Sequence, residues 1–303
     1  MRVLRITGLE LLRLAATTLG ITILVFFLVR MVPGDFVDVL AATGDYTYQQ
    51  QTRLRAELGL NADWFAQFWL WASRAVQGDL GNSLRFGRPV TEMVGIALRP
   101  TLYLAGLSFA GAMLAAVVLA VLAALFPRPV FERLIDLFNI WSIALPTFCV
   151  GLFSVVVFAL WLGWMPAIGV VFAPAVVLGI DTTGTLVKML HEEMLELDGA
   201  LFVRTARAKG LGRLRIVLRH VLPNAAPVLL AMTGIVLGGL VGGAITMEVV
   251  FGLPGIGTLT VQAMRGRDYP LIQAIILLMA LGVVLANALT DLLQRLIDPR
   301  VRG

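Results

Sequence analysis

LFNIWSIALPTFCVGLFSVVVFALWLGWMPAIGVVFAPAVVLGI, residues 137–180, contains no Asp, Glu, Lys or Arg. A bilayer core about 30 Å thick is crossed by about 20 apolar helical residues, so this stretch is too long for one crossing and long enough for two. It divides at Gly163-Trp164-Met165-Pro166-Ala167-Ile168-Gly169. There Gly and Pro signal a turn and tryptophan suits the membrane–water interface. Three further runs are free of charge: Pro100–Pro127, Val221–Met247 and Tyr269–Thr290. Of 303 residues, 59% are hydrophobic and 14% charged, and the mean hydropathy is +0.89. A soluble domain carries about 25% charged residues. The chain therefore reads as an all-α polytopic membrane protein, and a soluble globular enzyme is excluded.

Working outward, six spans are expected. The first is apolar from Leu9 to Val32, broken only by Glu10, Arg13 and Arg30, behind a basic start at Arg2 and Arg5. A signal peptide is the competing reading of such a start. The long apolar core and its closing arginine favour a retained first helix, residues 1–32. Residues 33–99 carry six arginines against seven acids and form an extramembrane cap, with short helices and a tryptophan-rich piece at Trp64–Trp71. The core, 100–303, then holds helices at about 100–126, 135–162 (kinked at Pro146), 171–191, 225–247 and 271–294. A polar loop at 191–222 separates the fourth from the fifth.

Six spans place both termini on one side. That side collects Arg2, Arg5, Arg13, Arg128, Arg133, six Lys and Arg between Arg204 and Arg219, Arg295, Arg300 and Arg302. The short loops opposite hold Arg265 and Arg267. The positive-inside bias makes the richer side, with both termini, cytoplasmic and the cap periplasmic. The net charge of +5 thus reflects orientation and contact with anionic lipid, and no nucleic-acid partner is expected. The single cysteine, Cys149, excludes an internal disulfide, and no companion ligand at short spacing accompanies His191 or His220, so no metal site is expected.

The most informative segment is Phe202-Val203-Arg204-Thr205-Ala206-Arg207-Ala208-Lys209-Gly210-Leu211, continuing to Arg219-His220-Val221-Leu222-Pro223-Asn224. Small alanines permit close packing, basic residues recur at helical spacing, and Gly210 interrupts the run. Two short helices at an angle follow, the second ended by Pro223, as an element suited to a partner's groove. A basic anchor on anionic lipid is the alternative. The spacing from Gly210 to Leu222-Pro223 resembles the cytoplasmic "EAA" loop of ABC-importer permeases, in the version of the dipeptide, oligopeptide and nickel importers. Leu28-Val29-Arg30-Met31-Val32-Pro33-Gly34-Asp35, Gly78-Asp79-Leu80-Gly81-Asn82-Ser83, Pro89-Val90, Pro100-Thr101-Leu102 and Gly242-Gly243-Ala244 extend the likeness. So do Glu248-x-x-Phe251-x-x-Pro254-Gly255-x-Gly257, Arg267-Asp268-Tyr269-Pro270 and Asp298-Pro299-Arg300. Arg204 and Thr205 replace the acid and first alanine of the general pattern, and His220 its isoleucine, as looks usual for this branch in the first two cases.

The resemblance implies a type I ABC-importer permease fold and one half of a translocation pore. It implies a second homologous permease in a heterodimer, two ATP-binding subunits and a periplasmic or lipid-anchored substrate-binding protein. Arg204, Thr205, Ala206, Arg207, Ala208, Lys209, Gly210 and Leu211 would couple to an ATPase. No catalytic residue is expected here: Lys188 follows Val187 and Lys209 follows Ala208, so neither builds a Gly-Lys-Ser/Thr phosphate loop, and ATP with Mg belongs to the partners. Within the fourth span, Asp181, Thr185 and Lys188 share a face, and an intramembrane carboxylate marks Asp181 and Thr185 as translocation-pathway candidates. A structural polar contact, or a carboxylate held neutral, is the alternative for Asp181. An ion-gradient transporter coupled through Asp181 is a competing function. Glu248, Phe251, Pro254 and Gly255 are candidates for an outer gate or binding-protein dock. Gly234, Gly238, Gly239, Gly242 and Gly243 suit close helix approach to the second permease.

Overall fold

The computed structural model describes the backbone of residues 2–42, 44 and 46–297, and side chains over 15–42, 44, 46–290, 292 and 294. Asp298-Pro299-Arg300 and the side chains of Arg2, Arg5, Arg13, Arg295 and Arg302 lie outside the described residues. Among the described residues every regular element is helical. Five helices are long and apolar enough to cross a bilayer, or six if one bent pair is a single span. Contacts divide the chain into two compact units: Met1–Arg99 with Pro254–Val284, and Pro100–Leu253 with Leu285–Gly303.

The first unit contains α1 (Arg2–Met31), the cap helices α2 (Phe36–Ala41), α3 (Tyr48–Glu57) and α4 (Trp64–Val76), the start of α5 (Val90–Leu125), α12 (Ile256–Arg265) and the start of α13 (Tyr269–Ile297). Each cap helix begins on a side-chain oxygen. Asp35 and Asp38 form a reciprocal capping box on α2, Thr47 and Gln50 form one on α3, and Asp63 accepts from the Phe65 amide of α4. Phe26 of α1 meets Phe68 of α4 edge to face at 5.1 Å and lies 5.9 Å from Trp71. Val90, Val94 and Ala97 pack with Ile256, Leu259, Ala263, Leu271 and Ile275.

The second unit contains α6 (Pro129–Ala144), α7 (Thr147–Ser154) with a π-helical extension Val155–Trp161, α8 (Phe172–Asp198), α9 (Leu201–Ala208), α10 (Arg213–Ile216), a π-helical turn Val217–Val221, and α11 (Leu222–Val250). α8 packs against both α6 and α11. Ile135, Leu186, Leu190 and Met194 form one buried cluster with Val203, Ala206, Ile216 and Val221. Leu104, Leu178, Leu240, Met247 and Phe251 form another.

Several expected boundaries are corrected. The third span is no single kinked helix: α6 and α7 meet at 100°. Pro146 lacks the N–H that would continue α6, and Leu145 before it is extended (φ −110°, ψ 119°). α5 starts at Val90 rather than 100 and tolerates Pro100 inside it, because Val90, Val94 and Ala97 continue its buried face. α8 runs on to Asp198, carried by buried Leu190, His191 and Met194. Pro223 ends nothing. The wider turn at Val217–Val221 precedes it, and the helix continues from Arg213 to Val250. The Gly/Pro-rich stretch after Phe251 is short, and α12, which buries Ile256, Leu259 and Ala263, follows it.

Candidate functional site

The basic loop folds into α9, a short helix with two faces, and the shorter α10 that leads into α11. In α9, Val203 and Ala206 are buried in the cluster that holds Ile216 and Val221. Arg204, Thr205, Arg207, Ala208, Lys209 and Gly210 are exposed, and Leu211 is half-buried. Leu201 and Phe202 are exposed beside them, at 79% and 41%, an apolar addition to the basic face. The helix ends where Gly210 takes φ +76°. There the Gly210 amide donates to Arg207 O at 2.9 Å and the Leu211 amide to Ala206 O at 3.3 Å, a Schellman cap. Two contacts absent from the sequence reading hold the segment. Arg207 pairs with Asp198 at the end of α8, and Arg213 Nε donates to Ala124 O at 2.8 Å, near the end of α5. Basic groups recurring near helix ends were the available signal, because unpaired terminal carbonyls attract them. Gly210→Ala should cost about 1 kcal/mol through the left-handed backbone. Faster amide exchange at Gly210 and Leu211, with α8 unchanged, is the expected result.

Asp181, Thr185 and Lys188 do share a face, and that face meets α6 and α7. Thr147 Oγ1, on the first residue of α7, donates to Asp181 Oδ2 at 3.1 Å, so the carboxylate is half-buried at the 100° break. The Ser142 and Thr185 hydroxyls are 3.3 Å apart. Lys188 Nζ reaches Asp136 at 2.9 Å and Glu192 at 3.3 Å. These partners belong to the same chain. Thr185 is exposed, and α8 and α6 are closest at Gly184, where an added Cβ would lie 2.3 Å from Phe138 O.

The candidates after α11 separate. Glu248 is fully buried and accepts from Thr101 Oγ1, while Phe251 is fully buried in the Leu104–Met247 cluster. Burial withdraws both side chains from a docking surface. Pro254 is exposed and Gly255 buried. Along α11, Gly234 meets Asn287 and Gly243 meets Leu178, whereas a Cβ on Gly239 or Gly242 would meet nothing within 4 Å. Ala231, Ile235, Gly239, Gly242, Thr246 and Val249 form an exposed stripe at helical spacing. His191 is buried, and its Nδ1 has no hydrogen-bond partner among the described residues.

Within the first unit, three separated motifs converge. Buried Asp268 accepts from Ser83 Oγ, from the Leu84 amide at 3.1 Å and from the Arg85 amide at 3.2 Å. The Tyr269 hydroxyl donates to Gly34 O at 2.9 Å. Arg55 then ties Asp35 (2.8 Å) and Asp38 together. The hydrogen bond to Asp35 holds the Arg55 guanidinium above its ordinary pKa, outweighing the opposing effect of burial.

Comparison with known proteins places this geometry. Residues 116–303 match the family described as binding-protein-dependent transport system inner membrane component. The glutathione transport system permease protein GsiC of Shigella flexneri serotype 5b (strain 8401) is 35% identical over 298 residues, 97% of each chain. The protein of the same name from Escherichia coli (strain K12) is 34% identical over the same share. A solved structure of the MetNI methionine ABC transporter in inward-facing conformations aligns with TM-score 0.58 at 20% identity, covering 68% of this chain and 96% of that one. At that identity the likeness shows the fold.

Proposed function

Because the chain belongs to the family of binding-protein-dependent transport system inner membrane components, and is thereby a multi-pass inner-membrane permease of an ABC importer, we propose that it carries short peptides by alternating access. The observation that supports peptides over nickel is the end-to-end likeness to permeases named for glutathione, which is a tripeptide. In this reading the chain pairs with a second, homologous permease. The exposed stripe on α11 suits that contact, since no described residue comes within 4 Å of a Cβ placed on Gly239 or Gly242. Both termini and the 191–222 segment face the cytoplasm, and a substrate-binding protein delivers peptide from the other side.

The exposed face of α9 docks on an ATP-binding subunit, where ATP and Mg are held. Its rigid Schellman end and its Arg207–Asp198 pair, with the Arg213–Ala124 bond of the following α10, would pass motion of the ATPase to α8 and α5, as a rigid-body switch requires. Asp181, at the α6–α7 break, faces the peptide's ammonium group when the pore opens. Reconstitution with both partners and a binding protein in liposomes tests the reading. ATP-dependent uptake of glutathione or a dipeptide is expected. Uptake of nickel ion alone, or uptake that persists with hydrolysis-dead ATPase subunits, would overturn it. Asp181→Asn should lower peptide uptake about tenfold, the equivalent of one charge-assisted hydrogen bond. Unchanged uptake across about three pH units, roughly pH 5–8, removes Asp181 from the pathway.

A further inference from the structure

A cavity of about 370 Å³ lies within the first unit, walled by α4, the end of α1, the 79–84 turn and the start of α13. Its walls are mostly apolar, including Leu70 and Leu80, and they carry two arginines, Arg30 and Arg74, against one carboxylate, Asp79. Gln273 is 3% exposed and its Nε2 has no partner, and the Trp71 indole Nε1 has none either. Arg30 also lines the cavity. Its Nε is committed to Gln67 at 3.0 Å and its Nη1 to Phe26 O at 3.3 Å, with the guanidinium 3.5 Å from the Phe26 ring centre. Arg74 completes the set and has no carboxylate within ion-pair distance among the described residues. The lining carboxylate, Asp79, accepts from the Gly81 amide at 2.9 Å. Two arginines and two unpartnered N–H groups around one sheltered site ask for an acceptor that carries negative charge.

A second observation identifies what brings that acceptor. On α4, Phe65, Trp69 and Val76 are 71%, 75% and 89% exposed and lie on one strip of the helix. Ala66, Leu70 and Arg74, which line the cavity, form the adjoining strip. An exposed aromatic and aliphatic strip beside a cationic residue, on a helix next to a membrane span, is the pattern of a helix lying in the lipid interface. In that position acyl chains run along Phe65 and Trp69, and a headgroup lies at the mouth of the cavity.

We propose that this cavity binds the phosphate of an anionic phospholipid headgroup, held by Arg74, Arg30, the Trp71 indole N–H and the Gln273 amide. The site tethers the cap to its leaflet. Native mass spectrometry of the full-length protein in detergent, titrated with phosphatidylglycerol, diacylglycerol or inorganic phosphate, tests this. Retention of phosphatidylglycerol but not of diacylglycerol is expected. Trp71→Phe, which removes only the N–H, and Arg74→Gln, at an exposed position, should each weaken retention about tenfold. Gln273→Glu should abolish it. Helical content by circular dichroism establishes that each variant is folded. Equal retention of diacylglycerol, displacement of the lipid by millimolar inorganic phosphate, or undiminished retention in the folded Trp71→Phe and Arg74→Gln variants would each overturn the proposal.

Discussion

Gly184→Ala is expected to destabilise the protein by about 3 kcal/mol or more, because the new methyl has no room to enter and backbone lies in its way. An ideal Cβ at this position stands 2.3 Å from the Phe138 carbonyl oxygen, 2.8 Å from its carbon and 2.8 Å from Ser142 Cβ. A flexible side chain would swing aside, as Met247 can for Gly151 and Leu178 for Gly243. The Phe138 carbonyl sits inside α6 and cannot move without shifting the whole helix. Separating α6 from α8 would also loosen the Ser142–Thr185, Asp136–Lys188 and Thr147–Asp181 contacts, so the damage spreads along the shared face. Gly239→Ala is the matched control. It lies in a long apolar helix with nothing within 4 Å, so it should be neutral or stabilising by up to about 1 kcal/mol. Thermal unfolding in detergent, followed by intrinsic tryptophan fluorescence, checks the contrast. Equal unfolding temperatures for the two variants would show that α6 and α8 are not in backbone contact.

Asp268→Ala should be comparably severe, again about 3 kcal/mol or more, by a different mechanism. The carboxylate is fully buried and collects the Ser83 hydroxyl and two amides from the turn that follows it. Alanine removes the acceptor and strands those donors, and each hydrogen bond to a charged group contributes about 1.5–3 kcal/mol. The loss should centre on the first unit, where the remaining tie of residues 83–85 to this region is Arg85 Nη1 donating to Gln262 O at 2.9 Å. Asp268→Asn keeps one acceptor oxygen but turns an NH₂ towards the donors, and should fall between alanine and wild type. Limited proteolysis supplies the local readout, with accelerated cleavage between residues 77 and 89 expected. Asp63→Ala is the comparison within the same unit. It deletes an exposed helix cap and should cost about 1 kcal/mol. If the two alanine variants unfold alike, Asp268 is no more than a surface group.

Arg267 shows why the Asp268 network extends beyond its own hydrogen bonds. It is the one residue other than glycine with positive φ among the described residues, at 52°, and it occupies the left-handed position that ends α12. The Asp268 amide donates to Ala263 O at 3.0 Å and the Arg267 amide to Met264 O at 3.2 Å, the bond pattern that Gly210 makes at the end of α9. Glycine adopts that conformation without strain, whereas arginine needs its surroundings to hold it there. The buried Asp268 carboxylate next to it supplies the constraint.

The membrane spans were legible because they depend on a quantity local to the chain, the length of uncharged sequence against the thickness of a bilayer. Pro146 was legible as a disruption and not as a 100° break, because the angle depends on what α6 and α7 each pack against. The α9 helix, with its glycine stop, was equally local: alanines, basic residues and Gly210 carry their own conformational preferences. Its fastening to Asp198, and that of α10 to Ala124, was not, since those partners come from elsewhere in the chain. Glu248 and Phe251 read as candidates for an outer surface because glycine and proline follow them, and packing against Thr101, Leu104 and Met247 buries both side chains.

Five glycines of α11 look interchangeable as a row of small residues. Their neighbours divide them, with Asn287 against Gly234, Leu178 against Gly243 and open space at Gly239 and Gly242. Asp181 is the same case for charge. Its presence inside a span is plain from the chain, and its contact with Thr147 exists only once a helix breaks beside it. Hydropathy, helix ends and turns follow from residues within a few positions of one another, so the order of residues along the chain settles them. Which carbonyl approaches Gly184, which donors surround Asp268 and which side of α11 stays bare depend on distant segments meeting, and three-dimensional packing alone brings those together.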